Sequence, residues 1–163
     1  MKKIIIILIS LLTIIGCVGQ ESYKETDLQK QELKGKVKSQ TKTTYRYKPT
    51  EKSGKIQKEE QQSKLVSYFN KDGNFTERIF YDKEKGTIRQ EFSYDEKGNL
   101  IEIKGYEANG TLGTKITYKY DQKDNRIEEN TYSEGVLQQK NTYKYDQDNR
   151  EIEVIRNVFA FWN

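Results

Sequence analysis

An aromatic residue followed by a turn-forming residue recurs along most of this chain at nearly constant spacing. The aromatic members of these pairs are Phe69, Tyr81, Tyr94, Tyr106, Tyr120, Tyr132 and Tyr145. Successive members are 12, 13, 12, 14, 12 and 13 residues apart, so every second one returns after 25 or 26 residues. A fixed period of this length indicates a fold built from copies of one supersecondary unit. The unit here is predicted to be a pair of strands.

The segments that follow the aromatic residues have the composition of tight turns. Three of them are Asn70–Gly73, Asp95–Gly98 and Asp146–Asn149. Asp or Asn at the first position caps a turn with its own side chain, and Gly or Asn at the fourth tolerates a left-handed backbone. Asn109-Gly110 and Glu134-Gly135 are turn signals of the alternate hairpins.

Between the turns, apolar and polar residues alternate with the period of two that is typical of strands. Three sets are expected to lie on one face each: Ile88, Gln90, Phe92 and Tyr94; Ile101 and Ile103; and Ile116, Tyr118 and Tyr120. Short strands joined by such turns form an antiparallel meander. The sequence therefore predicts an all-β domain of about eight to ten short strands, built from two-strand repeats of about 25 residues.

The limits of this domain follow from partial copies of the repeat. Thr44-Tyr45-Arg46-Tyr47 resembles the later Thr-Tyr-Lys-Tyr segments that end at Tyr120 and Tyr145, so the repeat domain is predicted to cover residues 42–163. Its last strand is expected to end near Val158, with the aromatic tail 159–163 as a cap. Pro49, the only proline, is expected to lie outside the strands.

The N-terminal segment has the pattern of an export signal. Lys2 and Lys3 precede an apolar run of about a dozen residues, which is shorter than the roughly 20 residues of a membrane-spanning helix. Ile14-Ile15-Gly16-Cys17 resembles the lipobox of bacterial lipoproteins. That resemblance implies removal of residues 1–16, acylation of Cys17 and attachment to a membrane of the cell envelope, with the outer membrane or cell surface expected. Residues 17–41 are predicted to be a lipidated polar tether, with weak helical character around Leu28 and Leu33.

Composition narrows the class of function. Leu, Ile, Val and Phe supply only 27 of the 147 residues from Cys17 onward, so the 12 tyrosines are needed to build a core. The same segment has 27 basic and 25 acidic residues, which does not favour a nucleic-acid partner. Histidine is absent, and Cys17 is the only cysteine, so no intrachain disulfide can form. Without a histidine or a free thiol, an enzyme of the Ser-His-Asp or Cys-His type is excluded, and the chain is predicted to be non-enzymatic with no cofactor.

Phe92-Ser-Tyr94-Asp95-Glu-Lys-Gly98-Asn99-Leu100 resembles the YD repeat of Rhs-type proteins, whose pattern is aromatic-x-Tyr-Asp-x-x-Gly-(Arg or Asn)-Leu. The likeness covers roughly residues 64–156, with Asn125 and Asn149 in place of glycine in two copies. It implies strand-turn-strand units in a curling sheet, and some members of that family are proposed to bind carbohydrate. Tyr106-Glu-Ala-Asn-Gly110 gives a weaker resemblance to MORN-like repeats of small bacterial antitoxin-type proteins.

Two sets of residues are candidates for a site. The turns at Asp121–Asn125 and Asp146–Asn149 cluster oxygen atoms, for which turn capping is favoured over calcium binding, and no metal site is predicted. Tyrosine pairs place two rings on one strand face, either as core or as a surface for stacking on sugars or a protein. These low-confidence binding residues are Tyr45, Tyr47, Tyr118, Tyr120, Tyr143 and Tyr145.

The function expected from the sequence is that of a membrane-anchored envelope module that binds a glycan or an envelope protein. Two alternatives stay open. One is a structural or scaffolding lipoprotein without a ligand, and the other is an immunity-type protein that caps a toxin by pairing with an edge strand.

Overall fold

A computed structural model describes the backbone of residues 25–49, 56–84 and 86–159, and the side chains of these except 47–49 and 56–60. Within this part the chain forms one short helix and nine strands. In chain order they are α1 (Asp27–Lys30), β1 (Ser39–Pro49), β2 (Ile56–Phe69), β3 (Phe75–Asp82), β4 (Gly86–Tyr94), β5 (Leu100–Tyr106), β6 (Leu112–Tyr120), β7 (Arg126–Ser133), β8 (Val136–Tyr145) and β9 (Glu151–Val158). The predicted export signal, Cys17 and residues 160–163 lie outside the described residues.

All nine strands form one antiparallel sheet in which the spatial order follows the chain order. This confirms the predicted all-β meander, and the last strand ends at Val158 as expected. Apart from α1, the described residues supply no second layer, so both faces of most of the sheet stay in contact with solvent. Only Leu28, Val66 and Phe69 are buried among the apolar residues described. The apolar contacts are therefore spread along the sheet instead of concentrated in one core.

Four turns at one end of the sheet repeat the same hydrogen bonds. The first side chain of each turn accepts the N–H groups of the residues two and four positions later, at 2.8 to 3.0 Å; these first residues are Asn70, Asp95, Asp121 and Asp146. The predicted capping is thus confirmed. The backbone is left-handed at Gly73, Gly98, Asp124 and Asn149.

The expectation that Asn125 replaces the turn glycine is wrong, because Asp124 takes the left-handed position with φ of 63°. Asn125 instead occupies the position of Asn99, where the side-chain amide is the important group. Its Nδ2 donates to Asp121 at 3.1 Å, as that of Asn99 donates to Asp95 at 2.9 Å.

Each repeat also has an irregular register beside its turn. Shifts follow Tyr68, Ser93, Lys119 and Lys144 in their pairings with the next strand. A bulge of this kind places two residues of one strand against one of its partner. As a result Tyr94 pairs with Leu100, and not with Ile101, which is 37% exposed.

The register gives the two faces of the sheet different chemistry. Phe92, Ile103 and Ile116 are direct neighbours across β4, β5 and β6, on what we term the aromatic face. Its other members include Phe69, Phe75, Tyr94, Leu100, Tyr118, Tyr120, Tyr143 and Tyr145. The opposite side, termed the charged face, includes Arg89, Glu91, Lys104, Lys115, Lys119, Glu128 and Lys140.

The segment before β1 differs from the predicted tether. Thr26 caps α1 with a capping box, and the Leu28 N–H donates to the Gly73 carbonyl at 2.9 Å. The described residues from Thr26 onward are therefore packed on the sheet, and the sheet begins at Ser39 and not near 42. Pro49 was expected outside the strands but is the last residue of β1. An edge strand accommodates proline because one side of its backbone has no partner strand to receive an N–H.

Candidate binding site

A cleft of about 840 Å³ lies on the aromatic face, between α1 and the first two turns. Its floor is aromatic and its rim is polar. The floor contains Phe75, Phe92, Tyr94, Leu100 and Tyr120; the rim contains Thr26, Asp27, Lys30, Asn70, Lys71, Asp72, Asn74, Asp95, Glu96 and Lys97. This size and this mixture of surfaces are typical of sites for small ligands.

The floor is held by ring packing that crosses three strands. The ring of Phe75 lies 5.0 Å from that of Phe69 and 5.7 Å from that of Phe92, measured between centroids. Offset and tilted rings at these distances attract one another beyond the effect of burial alone. The repeat places these rings together because β2, β3 and β4 each bring an aromatic residue to the same end of the sheet.

Two tyrosine hydroxyls at the floor are fixed by hydrogen bonds. Tyr94 Oη donates to Asp27 Oδ2 at 3.1 Å, and the same oxygen accepts the Phe75 N–H at 2.9 Å. Tyr120 Oη donates to the Leu100 carbonyl at 2.9 Å. The rings therefore cannot rotate away from the cleft without losing these bonds.

The phenols of the floor are also poor acids. Burial, followed by the nearby Asp27 carboxylate, raises the pKa of Tyr94 well above its usual range. Burial likewise raises the pKa of Tyr120. A phenol with a raised pKa stays protonated at neutral pH, so these groups serve as neutral hydrogen-bonding surfaces and not as bases.

The turn at the rim is tied to the next repeat. Asn99 is only 1% exposed, and its Nδ2 donates to Asp95 and to Asp124 of the following turn, at 2.9 and 3.0 Å. Lys97 Nζ lies 3.1 Å from the same Asp124 carboxylate. These bonds hold the Asp95–Gly98 turn in position, so the rim is formed before any ligand arrives.

Four of the predicted binding tyrosines come together beside this cleft. Tyr118 and Tyr120 lie on β6, and Tyr143 and Tyr145 lie on β8, all on the aromatic face. Arg126, on the intervening β7, has its guanidinium 4.7 Å from the Tyr143 ring and 5.8 Å from the Tyr118 ring. Since Arg126 covers these rings, only Tyr120 of the four lines the cleft.

The remaining predicted residues are not part of this group. Tyr45 is 36% exposed on β1, at the far edge of the sheet from β8. With strands about 4.8 Å apart, β1 and β6 are separated by roughly 24 Å. The side chain of Tyr47 and the whole of Cys17 lie outside the described residues.

Several residues of the cleft were not predicted as site residues. Phe92 and Tyr94 belong to the YD-like motif, so the repeat pattern contained a signal for them. Phe75 follows a turn in the same way as Leu100 does one repeat later. Asp27 had no such signal, because its role depends on a contact between parts of the chain 67 residues apart.

The charged face shows a second ladder with the same period. A cation lies over one tyrosine ring in each repeat: Lys64 over Tyr81 at 5.6 Å, Arg89 over Tyr106 at 4.3 Å and Lys115 over Tyr132 at 4.6 Å. Each pair consists of direct cross-strand neighbours. Cross-strand pairs of this type stabilise a sheet. We therefore assign these tyrosines to the stability of the sheet.

On the same face, Glu128 connects three strands. Its two carboxylate oxygens lie 2.8 Å from Lys119 Nζ and 2.8 Å from Lys140 Nζ, and Asn130 Nδ2 donates to it at 2.8 Å. These hydrogen bonds lower the pKa of Glu128 to about 2.

Comparison with known proteins adds no relatives to these observations. No protein-family model matches the chain, and no curated protein is similar enough in sequence to count as a match. In the described part of the chain, the helix found is not long and apolar enough to cross a membrane.

Proposed function

We propose that this chain is an exported lipoprotein, anchored through Cys17, that binds a glycan of the cell envelope in the cleft on the aromatic face. The observation that carries the proposal is the aromatic floor with a fixed polar rim. The anchor is supported by the lipobox-like sequence, and the glycan by the chemistry of the cleft.

A sugar ring has an apolar C–H surface and a border of hydroxyl groups. The floor offers rings for the first, since tyrosine and phenylalanine present large apolar surfaces of fixed geometry. The rim offers carboxylates, amides and lysines for the second. The rim contains both signs of charge, so a neutral or weakly charged ligand fits it better than a polyanion does.

A binding role fits this cleft better than catalysis does. Its phenols have raised pKa values, and two carboxylates at its edge already accept backbone hydrogen bonds, Asp27 from Phe75 and Asp95 from Lys97 and Asn99. A general base needs an available proton-accepting group with a pKa near the working pH.

The test compares one ring of the cleft with a matched ring of the charged face. Tyr94 and Tyr106 each donate a hydrogen bond to a carboxylate, of Asp27 and Glu91 respectively. Tyr94→Ala is expected to weaken glycan binding about tenfold, because a ring contact contributes roughly 1 to 1.5 kcal/mol. Tyr106→Ala should leave the affinity unchanged. Calorimetry with soluble peptidoglycan fragments and surface oligosaccharides measures both.

Equal loss in both variants, with folding preserved, would contradict the cleft as the site. Incubation of the wild-type chain with a detergent extract of the envelope separates the alternatives. Retention of one protein and no glycan would favour the partner-capping role, and retention of nothing by the folded chain would favour scaffolding.

A further inference from the structure

The two edges of the sheet differ in how they are protected against other strands. Edge strands are usually blunted by proline, lysine or bulges. β1 has Pro49, Lys42 and two register shifts near Tyr45. β9 contains neither proline nor lysine, and it pairs in unbroken register from Glu153 to Val158.

β9 also exposes apolar side chains along its length. All eight of its residues are exposed, and the apolar ones are Ile152 at 64%, Val154 at 44%, Ile155 at 43% and Val158 at 68%. Exposed apolar residues on an unprotected edge favour pairing with another strand.

The hydrogen bonds of β9 define which residues face outward. The Phe159 N–H donates to the Gln138 carbonyl at 2.8 Å, so Phe159 is directed toward β8. In an antiparallel ladder this direction alternates from residue to residue. Val154, Arg156 and Val158 therefore direct their backbone N–H and C=O groups away from β8, where the described residues place no other strand.

We propose that two copies of this chain join β9 to β9, antiparallel, about a two-fold axis at Ile155. In this register Ile155 faces its own copy, Val154 faces Arg156, and Glu153 faces Asn157. No like charges are opposed, and apolar residues meet at the axis. An axis at Glu153 or at Arg156 would instead oppose two like charges, which destabilises a sheet. This self-complementarity favours a second copy over an unrelated strand.

The two-fold axis predicts a specific cross-link. Ile155 would form a non-hydrogen-bonded pair with its copy, with Cα atoms about 4.5 Å apart, which is within the range of a disulfide. Two Val154 residues would be diagonal neighbours, and their Cα atoms would be about 8 Å apart, beyond that range. The full-length chain with Cys17→Ser has no other cysteine.

The experiment uses this full-length chain in mild detergent, with Ile155→Cys and Val154→Cys as matched variants. Ile155→Cys is expected to give a disulfide-linked dimer on mild oxidation, and Val154→Cys to stay largely monomeric. In sedimentation equilibrium the chain without cysteine should form a reversible dimer. Val154→Pro removes an outward N–H and should abolish the dimer while circular dichroism shows the sheet intact.

A monomer at all concentrations would overturn the proposal, as would equal cross-linking of the two cysteine variants. If Val154→Pro unfolds the chain, the ratio of cross-linking between the two cysteine variants decides the question without it.

Discussion

The strongest prediction about stability concerns Glu128, whose carboxylate joins β6, β7 and β8. The perturbation is Glu128→Gln, which retains the size of the side chain and a carbonyl oxygen for Asn130 but removes both ion pairs. The side chain of Glu128 is only 15% exposed, whereas those of Lys119 and Lys140 are 67% and 37% exposed. Solvent therefore screens the lysines more than the carboxylate.

The magnitude follows from the pKa. Interactions in the folded state lower the pKa of Glu128 from 4.5 to about 2. Each pKa unit corresponds to about 1.4 kcal/mol, so the full shift sets an upper limit of roughly 3.4 kcal/mol. Because the lysines are partly exposed, we expect Glu128→Gln to lower the free energy of unfolding by about 1 to 2 kcal/mol at neutral pH.

The pH dependence has a definite sign. A carboxylate whose folded pKa is depressed stabilises the fold above its unfolded pKa, and that contribution is lost as the pH falls from about 4.5 to about 2. Urea unfolding should show a clear difference between wild type and Glu128→Gln at neutral pH that shrinks toward zero near pH 2.

Glu153→Gln is the matched control. Its carboxylate is 42% exposed and bonds one lysine, Lys144, at 2.7 Å. An exposed pair of this kind contributes about 0.5 kcal/mol or less. If Glu128→Gln costs no more than this control, or costs the same at pH 2 as at pH 7, the carboxylate does not connect the strands as described.

Three other substitutions test separate parts of the structure, all by urea unfolding. A Cβ at Gly73, where φ is 86°, would lie 3.1 Å from Leu28 Cδ1, whereas at Gly110, with φ of 84°, it would meet nothing within 4 Å. Gly110→Ala should therefore cost about 1 kcal/mol and Gly73→Ala clearly more, and equal costs would mean that α1 is not docked. Asn99→Ala should cost about 2 kcal/mol because it leaves two carboxylates without their donor, and a neutral effect would refute its role as a link between turns. Arg126→Ala should cost about 1.5 kcal/mol without changing affinity at the cleft; a weakened affinity would extend the site to β7.

The parts of the fold that the sequence predicted are those set by local chemistry. Turn capping at Asp95 involves residues two and four positions away, and strand alternation depends on neighbours in the chain. The charged face follows from the same alternation, although its cation–π pairs need the cross-strand register. For these features the period of 25 or 26 residues was sufficient.

The features that were missed depend on contacts between distant segments or on competing roles for one residue type. Asn125 was assigned to the left-handed position because asparagine tolerates it, yet its amide is needed for the Asp121 carboxylate. The bulge that places Leu100 opposite Tyr94 has no signature in a strand pattern. The packing of residues before Ser39 depends on Asp27 and Leu28 contacting the first turn, which polarity alone argues against.

The two ends of the repeat array are unlike, and this difference separates the two proposed interactions. Inside the array, Tyr120 and Tyr145 donate to backbone carbonyls of the preceding repeat, those of Leu100 and Arg126. The equivalent acceptor for Tyr94 would lie near Phe75, but Asp27 takes that place by bonding both Tyr94 and the Phe75 N–H.

The N-terminal end is therefore capped by α1, and the cap leaves a cleft because one short helix covers less of the face than a full repeat would. At the other end no described segment plays this part, so β9 keeps the apolar side chains and outward amides that a further repeat would cover. A ligand at the cap and a second copy at β9 would then bind at opposite ends of the sheet. Because several strands lie between them, Val154→Pro should not alter glycan affinity, and Tyr94→Ala should not alter dimerisation. Coupling of either kind would show that the cleft and the edge are not independent.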